Sequence, residues 1–156
     1  MPDRLRQGES RVRLQTIVRL RWLAVLGQTI TVIGAYWVLG IDLPIGACLA
    51  VISLSAWLNV VLRLRYPASQ RLQSHYAFLM LGYDILQLGA LLYLTGGLEN
   101  PFAFLLIAPV TVSASTLPPR VTVALGGLAV VVATLLTEFH LPLPWFPHST
   151  FLLPLP

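Results

Sequence analysis

Residues 76–117 read YAFLMLGYDILQLGALLYLTGGLENPFAFLLIAPVTVSASTL. Two apolar runs, 76–95 and 101–117, lie on either side of the short segment GGLEN at 96–100. Each run approaches or matches the roughly 20 residues that a helix needs to cross a bilayer. Gly-Gly followed by Asn-Pro is typical of a tight turn that opens into a new helix. This stretch therefore predicts two membrane-spanning helices joined by a tight turn.

The composition of the whole chain supports a membrane protein. Of its 156 residues, 56% are hydrophobic and only 10% are charged, and the mean hydropathy is +0.78. Soluble domains carry about 25% charged residues, so this chain lacks the charge for a water-exposed surface. We therefore predict an all-α, polytopic transmembrane helical bundle with five spans, at about 22–41, 44–62, 76–95, 101–117 and 121–137.

The charges predict the orientation of the spans. All ten cations are arginines, and all fall in segments 1–21, 63–75 and 118–120, whereas the alternate loops carry carboxylates only. Because cytoplasmic loops are enriched in cations, the N-terminus is expected in the cytoplasm. Residues 1–21 then form a cytoplasmic arginine-rich arm and the start of the first helix, and 22–137 form the transmembrane domain. Residues 138–156 form a proline-rich, truncated periplasmic loop, with a sixth span expected beyond it.

The turn and its continuation carry a family resemblance. GGLENPF at 96–102, followed by AFLLIAPVTVSA at 103–114, resembles the membrane region of redox-responsive sensor histidine kinases of the RegB/PrrB type. The resemblance implies a six-span sensor domain in the bacterial inner membrane and a quinone-sensing GGxxNPF loop. It also implies a homodimeric parent kinase that uses ATP to phosphorylate its own histidine and passes the phosphate to a response regulator. No nucleotide-binding or phospho-acceptor motif is visible in these residues, so no catalysis is expected from them.

The heptad 96–102 suits a quinone chemically, as the resemblance implies. Glycines admit close backbone approach, a helix N-terminus offers free N–H donors, and aromatic rings can face a flat headgroup. The alternative is that the heptad only connects two spans. The predicted contacts for ubiquinone or ubiquinol are Tyr93, Gly96, Gly97, Asn100, Pro101, Phe102 and Phe104.

Polar residues within the predicted spans are candidates for signal transmission. Asp84 and Gln87 share one face of the third span, and an intramembrane carboxylate is costly enough to suggest a function. Interhelical bonding or signal transmission, a proton role and a solvated helix edge all remain open for Asp84. Pro109 is expected to kink the fourth span, with hydroxyls such as Thr111 bonding the freed carbonyls; ordinary packing is the alternative.

Other classes of function find less support. No two histidines share metal-ligand spacing with a cysteine or carboxylate, so no metal is expected. The arginines bracket apolar runs without an aromatic-basic platform, which argues against nucleic acid. A small transporter or channel subunit, and a purely structural anchor that dimerises a cytoplasmic part, are the alternatives to a sensor domain.

Overall fold

The computed structural model describes residues 14–65 and 74–141 of the chain. The predicted arginine arm up to residue 13, the loop 66–73 and the proline-rich tail from 142 lie outside the described residues. Five α-helices account for most of the described part: α1 Leu14–Trp37, α2 Ile45–Arg65, α3 Ser74–Leu94, α4 Ile107–Thr116 and α5 Pro119–Glu138. No strand occurs in the described part, and the predicted all-α class is confirmed.

Five spans agree approximately with these helices. Within the described ranges, three segments are by length and composition apolar enough to cross a membrane: Ile45–Arg65, His75–Leu94 and Pro119–Glu138. Helix α1 has 24 residues, or about 36 Å, and carries Arg19 and Arg21 in its first half. We call the end of the bundle near Leu94 and Glu138 the heptad end, and the end near Arg65 and Arg120 the arginine end.

The fourth predicted span is shorter and less regular than expected. A continuous helix from Pro101 was predicted, but the regular α-helix begins only at Ile107, after a 3-10 helix over Ala103–Leu106. The two segments together are about 23 Å long, less than the hydrocarbon thickness of about 30 Å. Because Leu117 precedes Pro118, its backbone is extended (φ −120°, ψ 161°) and α4 ends there. Pro119 then begins α5 at a position where its missing N–H costs no hydrogen bond.

Helix α3 lies at the centre of the bundle, because it belongs to both hydrophobic cores. In the larger core its side chains pack against α5, the 3-10 helix and Leu117. In the smaller core Leu91 of α3 joins residues of α1 and α2. The helix pairs α1–α2 and α4–α5 therefore lie on either side of α3.

The α3–α5 contact is close because two glycines of α3 face α5. A Cβ at Gly82 would touch Leu128 at 3.6 Å, an ordinary contact, whereas a Cβ at Gly89 would lie only 2.6 Å from Cγ1 of Val132. Glycine at an interface lets two membrane helices approach closely. Gly89 thus sets the spacing between α3 and α5.

We predict that Gly89→Ala lowers the free energy of unfolding by about 1–3 kcal/mol, since the new methyl group overpacks against Val132. Valine in a helix has little freedom at χ1, so it does not move aside easily. Thermal unfolding followed by circular dichroism in detergent measures the effect. Val132→Ala removes the clashing methyl groups, so the double variant should recover much of the loss.

Gly127→Ala is the matched control, because a Cβ at this α5 position meets nothing within 4 Å. It should leave the midpoint of unfolding unchanged or raise it slightly. Equal losses from Gly89→Ala and Gly127→Ala would contradict the close-contact account.

Candidate functional site

The heptad forms a compact turn whose polar groups bond to one another. Gly96 and Gly97 have positive φ angles of 101° and 60°, a region that glycine adopts without strain. Nδ2 of Asn100 donates to the carbonyl and to the hydroxyl of Thr95, at 3.0 and 2.8 Å. Oδ1 of Asn100 accepts the backbone N–H of Phe102 at 2.8 Å. Asn100 therefore does not cap a helix with its side chain as predicted: its oxygen closes a turn over Phe102, the residue before the 3-10 helix, and both of its amide N–H donors are engaged within the turn.

The second glycine of the heptad packs against the end of α5. A Cβ at Gly97 would lie 2.7 Å from the ring of His140 and 2.9 Å from the carbonyl oxygen of Leu136. The backbone N–H of Leu141 also donates to the carbonyl of Tyr93 at 2.8 Å. Gly97 is thus required by the fold itself, because no larger residue fits between the turn and α5.

A cleft of about 900 Å³ opens on the other side of the turn. One wall is α1, the floor is α3, and the opposite wall runs from Asn100 to Val112. Gly27 and Gly34 of α1 line the cleft, and a Cβ at either position would meet nothing within 4 Å. The lining is mostly apolar, and its polar side chains are Arg21, Gln28, Thr31, Ser55, Asp84, Gln87, Thr95 and Asn100.

The predicted quinone contacts divide into two groups. Asn100, Pro101 and Phe102 line the cleft at its heptad end. The other four do not line it: Gly97 is buried against α5, Gly96 is buried in the turn, and Tyr93 and Phe104 are exposed elsewhere on the surface. The sequence placed seven residues at one site, and the structure brings three of them to the cleft.

The middle of the bundle holds an ion pair between α1 and α3. Nε of Arg21 lies 2.9 Å from Oδ1 of Asp84, and the arginine side chain is only 4% exposed. Asp84 is ten residues from Ser74 and ten from Leu94, about 15 Å from either end of α3. It therefore lies at the midpoint of α3. Of the three alternatives for Asp84, the structure contains an interhelical bond.

The guanidinium group of Arg21 is only partly paired. Its face lies over the ring of Tyr83, with Cζ 5.2 Å from the ring centroid, at a distance typical of a cation–π contact. Nη1 and Nη2 are both buried, and neither has a hydrogen-bond partner within the described ranges. A buried donor without a partner is costly. Arg21 thus has two unused NH2 groups, with four N–H donors, in a wall of the cleft.

A second polar contact joins the same two helices. Nε2 of Gln87 donates to Oε1 of Gln28 at 2.8 Å, and both residues line the cleft. Gln87 therefore shares the interhelical position of Asp84, one turn closer to the heptad end. The two contacts together hold α1 against α3 along the floor of the cleft.

Pro109 does not kink the middle of a helix. It is the third residue of α4, where few backbone N–H groups have a helical partner to lose. The Thr111 hydroxyl donates to the carbonyls of Ile107 and Ala108, and other hydroxyls of α4 also bond within the helix. The irregular segment is the 3-10 helix before Pro109.

The pairing of Arg21 with Asp84 was not predicted from the sequence, because Arg21 falls in the segment assigned to the cytoplasmic arm. A carboxylate alone in a span calls for a nearby cation, and Arg21 directly precedes the first predicted window. Asn59 of α2 is also fully buried, with neither Oδ1 nor Nδ2 bonded within the described part of the chain. Among the described residues no three metal-ligating side chains cluster.

Comparisons with known proteins identify the family. A model described as the PilS-like transmembrane domain matches residues 2–150. A sensor histidine kinase RegB from Cereibacter sphaeroides is 44% identical over 131 residues, which are 84% of this chain and 28% of that protein. A second RegB, from a named strain of the same species, is 42% identical over 90 residues, 56% of this chain and 20% of the relative. The chain thus spans about a quarter of the length of these relatives. No solved structure matches.

We predict that Arg21→Met and Asp84→Met each destabilise the bundle by about 3–5 kcal/mol, because each leaves one buried charge without its partner. The double variant Arg21→Met/Asp84→Met should unfold near the wild-type temperature, since two apolar side chains leave no unpaired charge in the interior. Thermal unfolding in lipid nanodiscs tests both statements. Additive losses in the double variant would show that the two charges do not interact.

Proposed function

Because the chain belongs to the PilS-like transmembrane domain family, we propose that it is the sensory membrane domain of a two-component sensor histidine kinase. Its ligand is a membrane quinone, ubiquinone or ubiquinol, bound in the cleft at the end formed by the heptad. The kinase module that follows phosphorylates its own histidine and transfers the phosphate to a response regulator. The functional unit is a homodimer.

The cleft is the observation that carries the ligand proposal. It is lined mainly by apolar side chains and has room for a flat ring and part of an isoprenoid tail. Lipid-facing leucines and isoleucines of α1, exposed in the structure, lie along its edge, so an apolar ligand can enter from the bilayer. Phe102 and Pro101 supply a wall against which a quinone ring can pack.

Signalling follows if the oxidised and the reduced form of the quinone differ in their affinity for two arrangements of the helices. A ligand shifts such an equilibrium only by its differential affinity for the two states. The cleft lies between α1 and the segment from Asn100 to Val112, so its width depends on how these two walls are placed. Ligand exchange at the heptad end is thereby coupled to the positions of the helices that lead to the kinase.

A structural anchor is the alternative that one observation favours. Gly97 is accounted for by its contact with α5, and the polar groups of Asn100 by their bonds within the turn. On this reading the heptad is a rigid connector and the cleft holds lipid tails. Quinone binding separates the two functions.

We predict that Phe102→Ala weakens ubiquinone binding about twofold to tenfold, since an aromatic contact contributes about 0.5–1.5 kcal/mol beyond buried area. Titration of a short-tailed ubiquinone into nanodisc-embedded protein measures the dissociation constant. Phe104→Ala is the matched control, because Phe104 is 64% exposed and does not line the cleft. Equal effects of the two variants, or none from either, would remove the heptad end from the ligand site.

The proposed orientation places the N-terminus in the cytoplasm of a bacterium and the heptad at the periplasmic face of the inner membrane. We predict that, in a Cys48→Ser background, Leu98→Cys reacts with a membrane-impermeant maleimide added to intact spheroplasts. Arg120→Cys, at the opposite end of the bundle and also exposed, should react only after lysis. The reverse pattern would invert the topology.

A further inference from the structure

The part of the cleft near Arg21 and Asp84 contains hydrogen-bond donors without partners. The heptad end of the cleft has no such donors among its described side chains. At the heptad end the amide of Asn100 already donates to Thr95 twice. At the other end Nη1 and Nη2 of Arg21 are unpartnered within the described residues, and the side chain is more than nine-tenths buried in the wall of the cleft. We propose that Arg21 and Asp84 form a second ligand position, where a carbonyl oxygen of a neutral, tail-bearing molecule accepts hydrogen bonds from the guanidinium of Arg21.

The charges of Arg21 and Asp84 favour a neutral ligand at this position. Asp84 lies 2.9 Å from Nε and balances the charge of Arg21, so an added anion would leave the pair with a net negative charge in an apolar interior. A carbonyl group adds an acceptor without adding charge. A charge-assisted hydrogen bond from the guanidinium is stronger than one from a neutral donor.

The depth of the pair excludes a phospholipid headgroup. Asp84 is about 15 Å from either end of α3, which is half of a hydrocarbon core about 30 Å thick. Phosphate at that depth would be strongly unfavourable. A quinone, whose ring is neutral and whose tail is apolar, can reach the position along the cleft.

Ligands at the two ends contact different residues. Thr95 directly follows the last residue of α3 and is eleven positions from Asp84, or about 16 Å, a gap that one six-membered ring does not bridge. The headgroup therefore has two separate positions in one cleft. The proposal takes only the class of ligand from the proposed function, and it does not require the heptad to bind.

Binding at Arg21 would also involve both α1 and α3. The Nη atoms are covered in this structure, so a ligand must draw the guanidinium toward the cleft. Nε remains beside Asp84 during such a movement, and the ring of Tyr83 supports the group from its face. A ligand at this position would thus directly affect the contact between α1 and α3.

A benzophenone with an alkyl tail tests the position without redox chemistry. Its ketone is a neutral acceptor, and on irradiation the same carbonyl attacks nearby C–H bonds, so the adduct marks where the carbonyl lies. We expect saturable adducts within residues 20–28 of α1 and 81–88 of α3, mapped by mass spectrometry on nanodisc-embedded protein. In Arg21→Met/Asp84→Met the apparent affinity of this labelling should fall about tenfold to a hundredfold.

Two further variants complete the test. Arg19→Met, an exposed position on the same helix, should leave the labelling unchanged. Arg21→Lys keeps a charge beside Asp84 but loses the guanidinium fork, so it should also weaken labelling. This variant keeps the test valid if the double variant proves unstable. Unchanged labelling in both Arg21 variants, or adducts confined to 100–105, would overturn the proposal.

Ubiquinone competition separates this proposal from the proposed function. Loss of ubiquinone binding in Phe102→Ala with normal labelling at Arg21 supports both positions. If ubiquinone binding is lost in Phe102→Ala and the labelling does not depend on Arg21, the heptad site stands and the second position is refuted. Labelling that depends on Arg21 and is not displaced by ubiquinone refutes the quinone as ligand while the carbonyl site stands.

Discussion

A pair of opposite charges at the middle of an apolar bundle constrains how α1 lies against α3. Neither Arg21 nor Asp84 is tolerated alone at that depth, because an isolated charge in a low-dielectric interior is strongly unfavourable. Their contact of 2.9 Å and the bond between Gln28 and Gln87 are the polar contacts that join the two helices in the described part of the chain. The cleft exists because α1 packs on α2, touches α3 through these polar contacts, and stands apart from the segment that runs from Asn100 to Val112.

The face of α3 that packs against α5 is constrained by close steric contacts and not by charge. Gly89 admits Val132, and Gly97 admits the end of α5, so the two helices run together with no room for a ligand between them. This packing leaves the α1 side as the place where a ligand can enter. One helix therefore has a tightly packed face toward α5 and an open, partly polar face toward the cleft.

The polar side-chain donors of the heptad are not free for a ligand, because they bond within the turn. Its polar groups satisfy one another, which makes the turn rigid and leaves Pro101 and Phe102 as an apolar wall. The unused donors are about three helical turns away, on a residue of α1. The proposed arrangement, in which the heptad shapes the cleft and Arg21 binds the carbonyl of the ligand, is consistent with both observations. It also explains how a turn without free side-chain donors can belong to a ligand site.

The sequence by itself determined the all-α membrane class, the approximate helix positions and the turn at 96–102. These follow from local properties, because apolar length, glycine and Asn-Pro act within a few residues. Only the tertiary structure decided which residues share a surface. It separated Tyr93, Gly96, Gly97 and Phe104 from the cleft and joined Arg21 to Asp84 across 63 positions of chain. Hydropathy records how apolar a helix is, whereas the direction in which each side chain points depends on how the helices pack.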